Sequence, residues 1–300
     1  MRPFDYIDIG IKKAANATCV IDDETQYTYG QVDEITDAIT RGLYSLGFKY
    51  GDSVAVFSPN DATAVLCTFS IQKAGGAWVP VNTRNALAAN EEFLKHVGLR
   101  WLFFHSDVKE DALQLLQTLP DLKRAICING TVSDCLTLNE LTHNVGQQKL
   151  PELGDVFGSP NAVFSLWPTG GTTGPSKAVE MNNRALVSMI EQGLKCFIPE
   201  TPNNIVYLAV APVTHAAGII MPVFAAVGSK IVIRRGFDAV DTLNAIRKHR
   251  VTHIFLPPTA FYVLLDEAQR GDYDTSSLKQ IILAAAPVSP DRLREGVETF

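Results

Sequence analysis

The chain has 300 residues, of which 46% are hydrophobic and 19% charged, and its formal net charge is −6. This length and composition are typical of a compact protein with one large or two moderate domains and a sizeable core. The negative charge argues against a nucleic-acid-binding protein, which is usually basic. The five cysteines form no C-x-x-C pair and most lie in apolar stretches, so neither a disulfide framework nor a zinc site is predicted.

Strand and helix patterns alternate through the first half of the chain. Apolar runs predict buried strands at 54–57, 101–104 and 124–128. Helices are predicted over 61–73, with Asn60 as the N-cap, and over 109–118. Gly75 and Gly76 predict a structural turn between the first of these helices and a strand that begins at Ala77.

The stretch from Asn129 to Pro160 is polar, contains several glycines and prolines, and shows weak patterning. It therefore holds the predicted domain boundary. Residues 1–160 are expected to form a first α/β subdomain with an N-terminal segment, and residues 161–300 a second one.

The alternation continues in the second half. Strands are predicted at 162–167, 203–210, 230–233, 251–256 and 280–284, and helices at 183–194, at 238–249, from Pro258 onward and after a cap at Ser289. Alternation of this kind implies parallel sheets covered by helices. The predicted fold class is α/β, with two doubly wound, mostly parallel sheets and helices on both faces.

Residues 205–229 contain no Asp, Glu, Lys or Arg, and this length could cross a bilayer. Pro212, Pro222 and His215 interrupt the run, which favours a buried strand, a loop and a buried helix over a membrane span. The N-terminus has no apolar signal core. The protein is expected to be cytoplasmic and without a transmembrane segment, and an oligomer is compatible with the sequence.

The most informative segment is the loop after the strand at 162–167, which consists of Thr169-Gly170-Gly171-Thr172-Thr173-Gly174-Pro175-Ser176-Lys177. Glycines let successive N–H groups converge on an anion, threonine hydroxyls add donors, and a lysine adds positive charge. The segment predicts binding of a nucleoside triphosphate; a flexible surface loop is the alternative. Neither the Walker pattern nor the dinucleotide pattern G-x-G-x-x-G is present.

This loop resembles the phosphate-binding signature of the adenylate-forming (AMP-binding) superfamily, which includes acyl-CoA synthetases. Four further segments resemble that superfamily in the expected order: 27–32 (Tyr-Thr-Tyr-Gly-Gln-Val), 72–82 (Gln-Lys-Ala-Gly-Gly-Ala-Trp-Val-Pro-Val-Asn), 212–218 (Pro-Val-Thr-His-Ala-Ala-Gly) and 284–289 (Ala-Ala-Ala-Pro-Val-Ser). The chain departs from the pattern where Pro175 stands one position early. It also departs at Ala284 and Ala285, which stand where the family has glycines.

The resemblance implies a role for each matching residue. Thr169, Gly170, Gly171, Thr172, Thr173, Gly174 and Lys177 would bind the ATP phosphates, and Ala284, Ala285, Ala286 and Pro287 the adenine. His215 would be the catalytic residue beside the acyl carboxylate and the α-phosphate, with Ala216 and Gly218 in the acyl site. From residue type alone, His215 could equally be a structural histidine, and His253, inside a strand, is expected to be structural.

The function implied is ATP-dependent activation of a small-molecule carboxylic acid to an acyl-adenylate. The intact enzyme, an acyl-CoA synthetase of fatty-acid or aryl-acid type, would then transfer the acyl group to coenzyme A. ATP, Mg²⁺ and coenzyme A are the expected cofactor and co-substrates. In the family the glutamate that holds Mg²⁺ and the lysine-bearing small domain follow later in the sequence. The chain is therefore expected to be an incomplete large N-terminal domain with no complete metal site.

Two alternatives stay open at this point. One is a degenerate ATP/AMP-binding module without catalytic activity, which the shifted proline and the two alanines motivate. The other is a P-loop NTPase, whose required motif is missing. A peptide-synthetase module is less favoured than a stand-alone enzyme because no aspartate for an amino-acid amine is identifiable.

Overall fold

The computed structural model describes residues 1–143, 159–168 and 177–300. The strands are β1 (Thr18–Ile21), β2 (Gln26–Thr28), β3 (Ser53–Phe57), β4 (Ala77–Pro80), β5 (Trp101–Phe104), β6 (Arg124–Cys127), β7 (Leu136–Thr137), β8 (Val163–Pro168), β9 (Ala178–Asn182), β10 (Val206–Ala209), β11 (Lys230–Ile233), β12 (His253–Leu256) and β13 (Gln280–Leu283). The helices are α1 (Pro3–Ala14), α2 (Tyr29–Ser45), α3 (Ala62–Ala74), α4 (Leu87–His96), α5 (Lys109–Thr118), α6 (Leu138–His143), α7 (Asn183–Phe197), α8 (Ala216–Ile219), α9 (Met221–Ala225), α10 (Ala239–His249), α11 (Pro258–Arg270) and α12 (Pro290–Thr299). A 3₁₀ helix spans Ser106–Val108.

The described strands form two sheets. The first has the order β7-β6-β5-β3-β4-β8-β9 and the second the order β13-β12-β10-β11-β1-β2. The pairs β8–β9 and β1–β2 are antiparallel, and the other pairs between described strands are parallel. The predicted fold class of two mostly parallel sheets is therefore confirmed.

Helices pack on both faces of each sheet because successive strand residues point to opposite sides. In β3, Val54 and Val56 face the core between the two sheets, where α1, α2, α3 and α9 also contribute side chains. Ala55 and Phe57 face the outer side, against α4 and α5. The outer face of the second sheet packs against α10 and α11. Helix α3 lies in the central layer and is apolar on every side, as its position requires.

Sheet membership does not follow the predicted division at residue 160. Strands β8 and β9 follow that residue, yet they complete the first sheet, and β1 and β2 near the N-terminus complete the second. The reason is that β1 pairs with β11, in the register Val20 to Ile231 and Ile21 to Val232. The division into units of residues 1–160 and 161–300 thus stays a prediction about domains. In the structure, each sheet contains strands from both sides of residue 160.

Two predicted helix caps need correction. Asp61, and not Asn60, caps α3, because its carboxylate accepts hydrogen bonds from the N–H groups of Thr63 (2.8 Å) and Ala64 (3.1 Å). Ser289 does occupy the N-cap position of α12, but its side chain makes no capping hydrogen bond. Its N–H donates instead to the Tyr262 hydroxyl at 2.8 Å.

Other local predictions hold. Gly75 ends α3 with a left-handed φ of 73°, which a residue with a Cβ adopts only with strain, and β4 begins two residues later. The uncharged run 205–229 forms β10, α8 and α9. Within the described ranges, no helix has the length and apolar character that a membrane crossing requires.

Candidate functional site

The carboxyl ends of the parallel strands in the two sheets meet at one crevice. A cavity of about 390 Å³ lies there, which we call the crevice cavity. The loops after β3, β4 and β5 line it from the first sheet, and those after β10 and β11 line it from the second. Open α/β sheets bind their ligands at this edge, so the crevice is where substrates are expected.

Asn60 links the two sides of this crevice. Its side chain is 8% exposed, and its oxygen accepts a hydrogen bond from the N–H of Val213 at 2.8 Å. Its amide nitrogen donates to the backbone carbonyls of Ala211 and Arg234, both at 2.9 Å. Asn60 follows β3 of the first sheet, whereas its three partners follow β10 and β11 of the second. One side chain therefore fixes the segment that leads to His215.

Two further contacts fix the His215 segment. The Thr214 hydroxyl donates to the carbonyl of Val81, beyond β4, at 2.7 Å. A Cβ at Gly218 would lie 2.0 Å from the carbonyl oxygen of Val213, so only glycine permits this close approach of backbone to backbone. The predicted place of Gly218 in the acyl site stays a prediction, and in the structure the lack of a side chain at Gly218 lets the turn around His215 close.

His215 lies against the strand that leads into the predicted phosphate loop. Its ring contacts the indole of Trp167 edge-to-face, with the ring centroids 4.7 Å apart. Trp167 belongs to β8, and β8 pairs with β9 so that Pro168 lies opposite Ala178. We call Pro168 and Ala178 the loop stem, because residues 169–177 connect them. The structure therefore brings His215 close to the stem of the loop.

The loop residues themselves fall largely outside the described part of the chain. Thr169, Gly170, Gly171, Thr172, Thr173 and Gly174 are not among the described residues, and their predicted contacts with phosphate stay a prediction. Lys177 is described, and it is an exposed residue directly before β9. Residues 169–177 thus connect β8 and β9, the antiparallel pair of strands at the edge of the first sheet.

The predicted adenine segment lies at the same edge of the second sheet. Ala284, Ala285, Ala286 and Pro287 follow β13 and all four are exposed. In the sheet, only β12 separates β13 from β10, the strand that precedes His215. Since neighbouring strands are about 4.8 Å apart, the two strand ends lie roughly 10 Å from each other.

Ala285 has a φ of 79°, in the left-handed region that favours glycine. Replacing it with glycine should raise the free energy of unfolding by about 1 kcal/mol, because glycine removes the steric cost of this backbone conformation. The exposed Cβ makes no core packing that would be lost. The measurement is urea unfolding of Ala285→Gly.

The matched control for that measurement is Ala284→Gly, one residue earlier, where φ does not lie in the left-handed region. It should be neutral or destabilising by up to about 1 kcal/mol, since glycine only adds freedom to the unfolded chain. Equal effects of the two replacements would contradict strain at Ala285.

Burial lowers the pKa of His215 below its ordinary value, so the ring is neutral at pH 7. The pKa values of His105 and His253 are also lowered, in both cases chiefly by burial. His253 is structural, as predicted: it lies in β12, and its Nε2 is 2.8 Å from the carbonyl of Phe197, to which it donates. A neutral His215 retains one N–H to donate and one nitrogen to accept.

These lowered pKa values make stability depend on pH. Between the folded pKa and the unfolded value near 6.5, the unfolded chain holds more protons, so the free energy of unfolding rises with pH. The stabilisation is complete above the unfolded pKa and is lost as the pH falls through the folded pKa values. We expect a lower urea midpoint at pH 5.5 than at pH 7.5.

The contribution of one histidine to this pH dependence can be isolated. His253→Gln should make the dependence shallower, because glutamine does not titrate. The same pH dependence in His253→Gln and in the unmodified protein would exclude His253 as a cause.

Sequence reasoning missed several residues of the crevice cavity. Arg84, Asp107 and Arg235 line it, and the Arg235 guanidinium pairs with the Asp107 carboxylate. Each follows a strand end, which is the signal that could have found them. Among the described residues, no three His, Cys, Asp or Glu side chains converge as a metal site. The described residues therefore do not by themselves build a magnesium site.

Comparison with known proteins gives one consistent result. The family model described as "AMP-binding enzyme" matches residues 9–300. The chain is 26% identical to a medium/long-chain-fatty-acid–CoA ligase, FadD8, of Mycobacterium tuberculosis over 294 residues, which are 97% of this chain and 51% of that protein. It is 25% identical to the mitochondrial medium-chain acyl-CoA ligase ACSF2 of Homo sapiens, over 93% of this chain and 49% of that protein.

Among solved structures, the amide bond synthetase McbA from Marinactinospora thermotolerans superposes with a TM-score of 0.85 at 20% identity. The match covers 100% of this chain and 57% of that one. At this identity the likeness shows the fold alone. The chain spans about half the length of the curated relatives it matches.

Proposed function

We propose, since this chain belongs to the AMP-binding enzyme family, that it carries the ATP- and acid-binding part of an AMP-forming acid–thiol ligase. The observation that carries the proposal is the contact between His215 and Trp167, which sets the histidine beside the stem of the loop 169–177. A phosphate-binding loop and a hydrogen-bonding imidazole next to each other suit a reaction between a carboxylate and a triphosphate.

The proposed reaction has one bond-forming step in this part of the protein. A carboxylate oxygen of the acid attacks the α-phosphorus of ATP, the bond between the α-phosphorus and the bridging oxygen to the β-phosphate breaks, and pyrophosphate leaves. The products are an acyl-adenylate and pyrophosphate, and no protein nucleophile is required. The protein contributes alignment of the two anions and neutralisation of their charge.

His215 would align the acid. At neutral pH its imidazole is uncharged, because burial lowers its pKa, and the N–H can donate to a carboxylate or α-phosphate oxygen. A neutral donor suits this position, since it orients the attacking carboxylate without forming a strong ion pair that would reduce its nucleophilicity. Ala216 and Gly218 would form the wall of the acyl site next to it.

The nucleotide would lie across the carboxyl edge of the second sheet. The small residues 284–287 follow β13 at this edge and leave backbone exposed for an adenine ring. Lys177 and the loop before it would hold the β- and γ-phosphates. Magnesium would come to the site with ATP, whose phosphates are its usual ligands, and would neutralise the charge of the departing pyrophosphate.

In the second half-reaction, which we assign to the whole protein, the sulfur of coenzyme A attacks the acyl carbon and AMP leaves. The identity of the acid, of the thiol acceptor and of the cellular compartment stays a prediction. The relatives named above are a medium/long-chain fatty-acid ligase and a medium-chain ligase, so we propose fatty or aryl acids as the first substrates to test.

Acid-dependent exchange of labelled pyrophosphate into ATP tests the proposal on the full-length protein. We expect Lys177→Ala to lower the exchange rate by roughly tenfold or more, because one charge-assisted contact to phosphate is lost. The matched control is Lys195→Ala, an exposed lysine at the end of α7, which should exchange at the unmodified rate.

The same experiment separates the alternatives. Nucleotide binding without acid-dependent exchange would favour a non-catalytic ATP/AMP-binding module, for which the strained Ala285 is the specific structural argument. Phosphate release that requires no acid would contradict acid activation and indicate an NTPase.

A further inference from the structure

A second cavity, of about 840 Å³, opens at the opposite edge of the second sheet. We call it the amino-end cavity, because the residues that line it precede or begin β1, β10, β11, β12 and β13. These strands run parallel, so their carboxyl ends, with His215 and Ala284, lie at the other edge. The amino-end cavity is thus separate from the proposed catalytic crevice, and it has the volume of a small-ligand site.

The charged side chains around the amino-end cavity are of one sign. Four cations line it, namely Lys230, Lys248, Arg250 and Lys279, together with the imidazole of His249, and none of the described residues that line it is Asp or Glu. One of these cations is paired, because Asp274 binds the Arg250 guanidinium at 3.1 Å. In a chain with a net charge of −6, this concentration of cations in one concave site favours an anionic ligand.

Burial makes the charged forms of two of these basic groups less favourable. The pKa of Lys230 is lowered by burial. The pKa of His249 is lowered first by burial and then by the positive charges of Lys230 and Lys248. The positive charges of Lys230 and Lys248 therefore reach His249, and the same field would attract an anion placed among these groups.

One further polar group lies in the wall of the cavity. Ser229 lines the cavity and is only 3% exposed, and its hydroxyl has no hydrogen-bond partner among the described residues. Buried hydroxyls of this kind are normally paired with protein, ordered water or a ligand.

We propose that the amino-end cavity binds a small molecule carrying two or more phosphate groups. Four cations around one cavity match a multiply charged anion better than a single phosphate, and hydroxyl donors supplement them as in other phosphate sites. The concave shape favours a small molecule over an acidic peptide. This inference does not depend on the proposed function, because no residue of the catalytic crevice takes part in it.

The test is calorimetric titration of the full-length protein with inorganic tripolyphosphate. Since the loop 169–177 can also hold this probe, every variant carries Lys177→Ala as background. In this background we expect binding to persist, and we expect the added pair Lys248→Ala and Lys279→Ala to weaken it by about tenfold or more. Both lysines are exposed, so their loss should not prevent folding.

Two controls make the result specific. The pair Lys95→Ala and Lys109→Ala removes the same charge from exposed lysines of α4 and α5 and should leave binding unchanged. The pair Lys248→Arg and Lys279→Arg keeps the charge and should retain binding.

The proposal is overturned if the cavity variant and the α4/α5 control bind tripolyphosphate equally well. It is also overturned if an octaglutamate peptide binds at this site more tightly than tripolyphosphate, since that result would indicate a peptide-binding surface. Pyrophosphate exchange is measured separately, so failure of the proposed function and failure of this inference give different outcomes.

Discussion

Replacement of Asn60 by alanine should lower the free energy of unfolding by about 3 kcal/mol. The change removes the partners of one N–H and two carbonyl groups, those of Val213, Ala211 and Arg234. Each backbone group left unsatisfied in a buried position costs about 1–3 kcal/mol, and water from the crevice cavity offsets part of the sum. Urea unfolding of the variant measures the loss.

Loss of the Asn60 side chain should also affect the reaction, because its three backbone partners belong to the segments after β10 and β11. Without Asn60, the chain from Ala211 to His215 loses its link to the first sheet. We expect the KM for the acid in pyrophosphate exchange to rise along with the loss of stability. A misplacement of about 1 Å in a positioning group can cost about a hundredfold in rate.

Two variants control for this effect. Asn85→Ala removes an exposed asparagine at the same edge of the first sheet, whose side chain donates to the Asn90 side chain at 3.2 Å, and should change stability by no more than about 1 kcal/mol. Asn60→Asp keeps an acceptor for the Val213 N–H but sets a carboxylate against two carbonyls, and should destabilise at least as much as alanine. Equal urea midpoints for Asn60→Ala and Asn85→Ala would show that Asn60 does not hold the sheets together.

Replacement of His215 by alanine should reduce the rate of acid-dependent pyrophosphate exchange by roughly a hundred- to a thousandfold. This is the magnitude seen when one hydrogen-bond donor to a developing charge is removed from a preorganised site. The prediction rests on the proposed function, in which the His215 N–H contacts the acid or the α-phosphate.

A structural role for His215 would produce a different pattern among its variants. His215→Phe retains a ring to pack on Trp167 but has no N–H, so it should be as impaired as alanine. His215→Gln retains a donor and should keep part of the activity. If the phenylalanine variant exchanges pyrophosphate at the unmodified rate, the ring of His215 serves only to pack against Trp167.

Much of the secondary structure could be predicted from the sequence, because local patterns encode it. The strand at 230–233 and the helix at 109–118 have the predicted bounds. Apolar runs bounded by turn residues identify buried strands, and a glycine such as Gly75 marks the end of a helix. The N-terminal strands β1 and β2 were missed, since they are short and partly exposed and carry little signal.

The candidate site was predictable in part. The ordered segments identified the family that the family model confirms over residues 9–300. His215 and residues 284–287 do lie at the carboxyl edge of one sheet. Asn60 was predicted as a helix cap, because Asn is a common N-cap residue and lies beside the start of α3. Nothing in its sequence neighbours indicates a partner 153 positions away.

By itself, the sequence determined the α/β class, the alternation of strands and helices from residue 53 onward and the family, since all three depend on patterns of neighbouring residues. Only the tertiary structure decided that β8 and β9 join the first sheet while β1 pairs with β11, and that basic residues from three separate segments surround one cavity. The physical reason is that strand pairing and charge clustering depend on contacts between distant segments. Such contacts are selected by burial of the whole core, and the local sequence does not specify them.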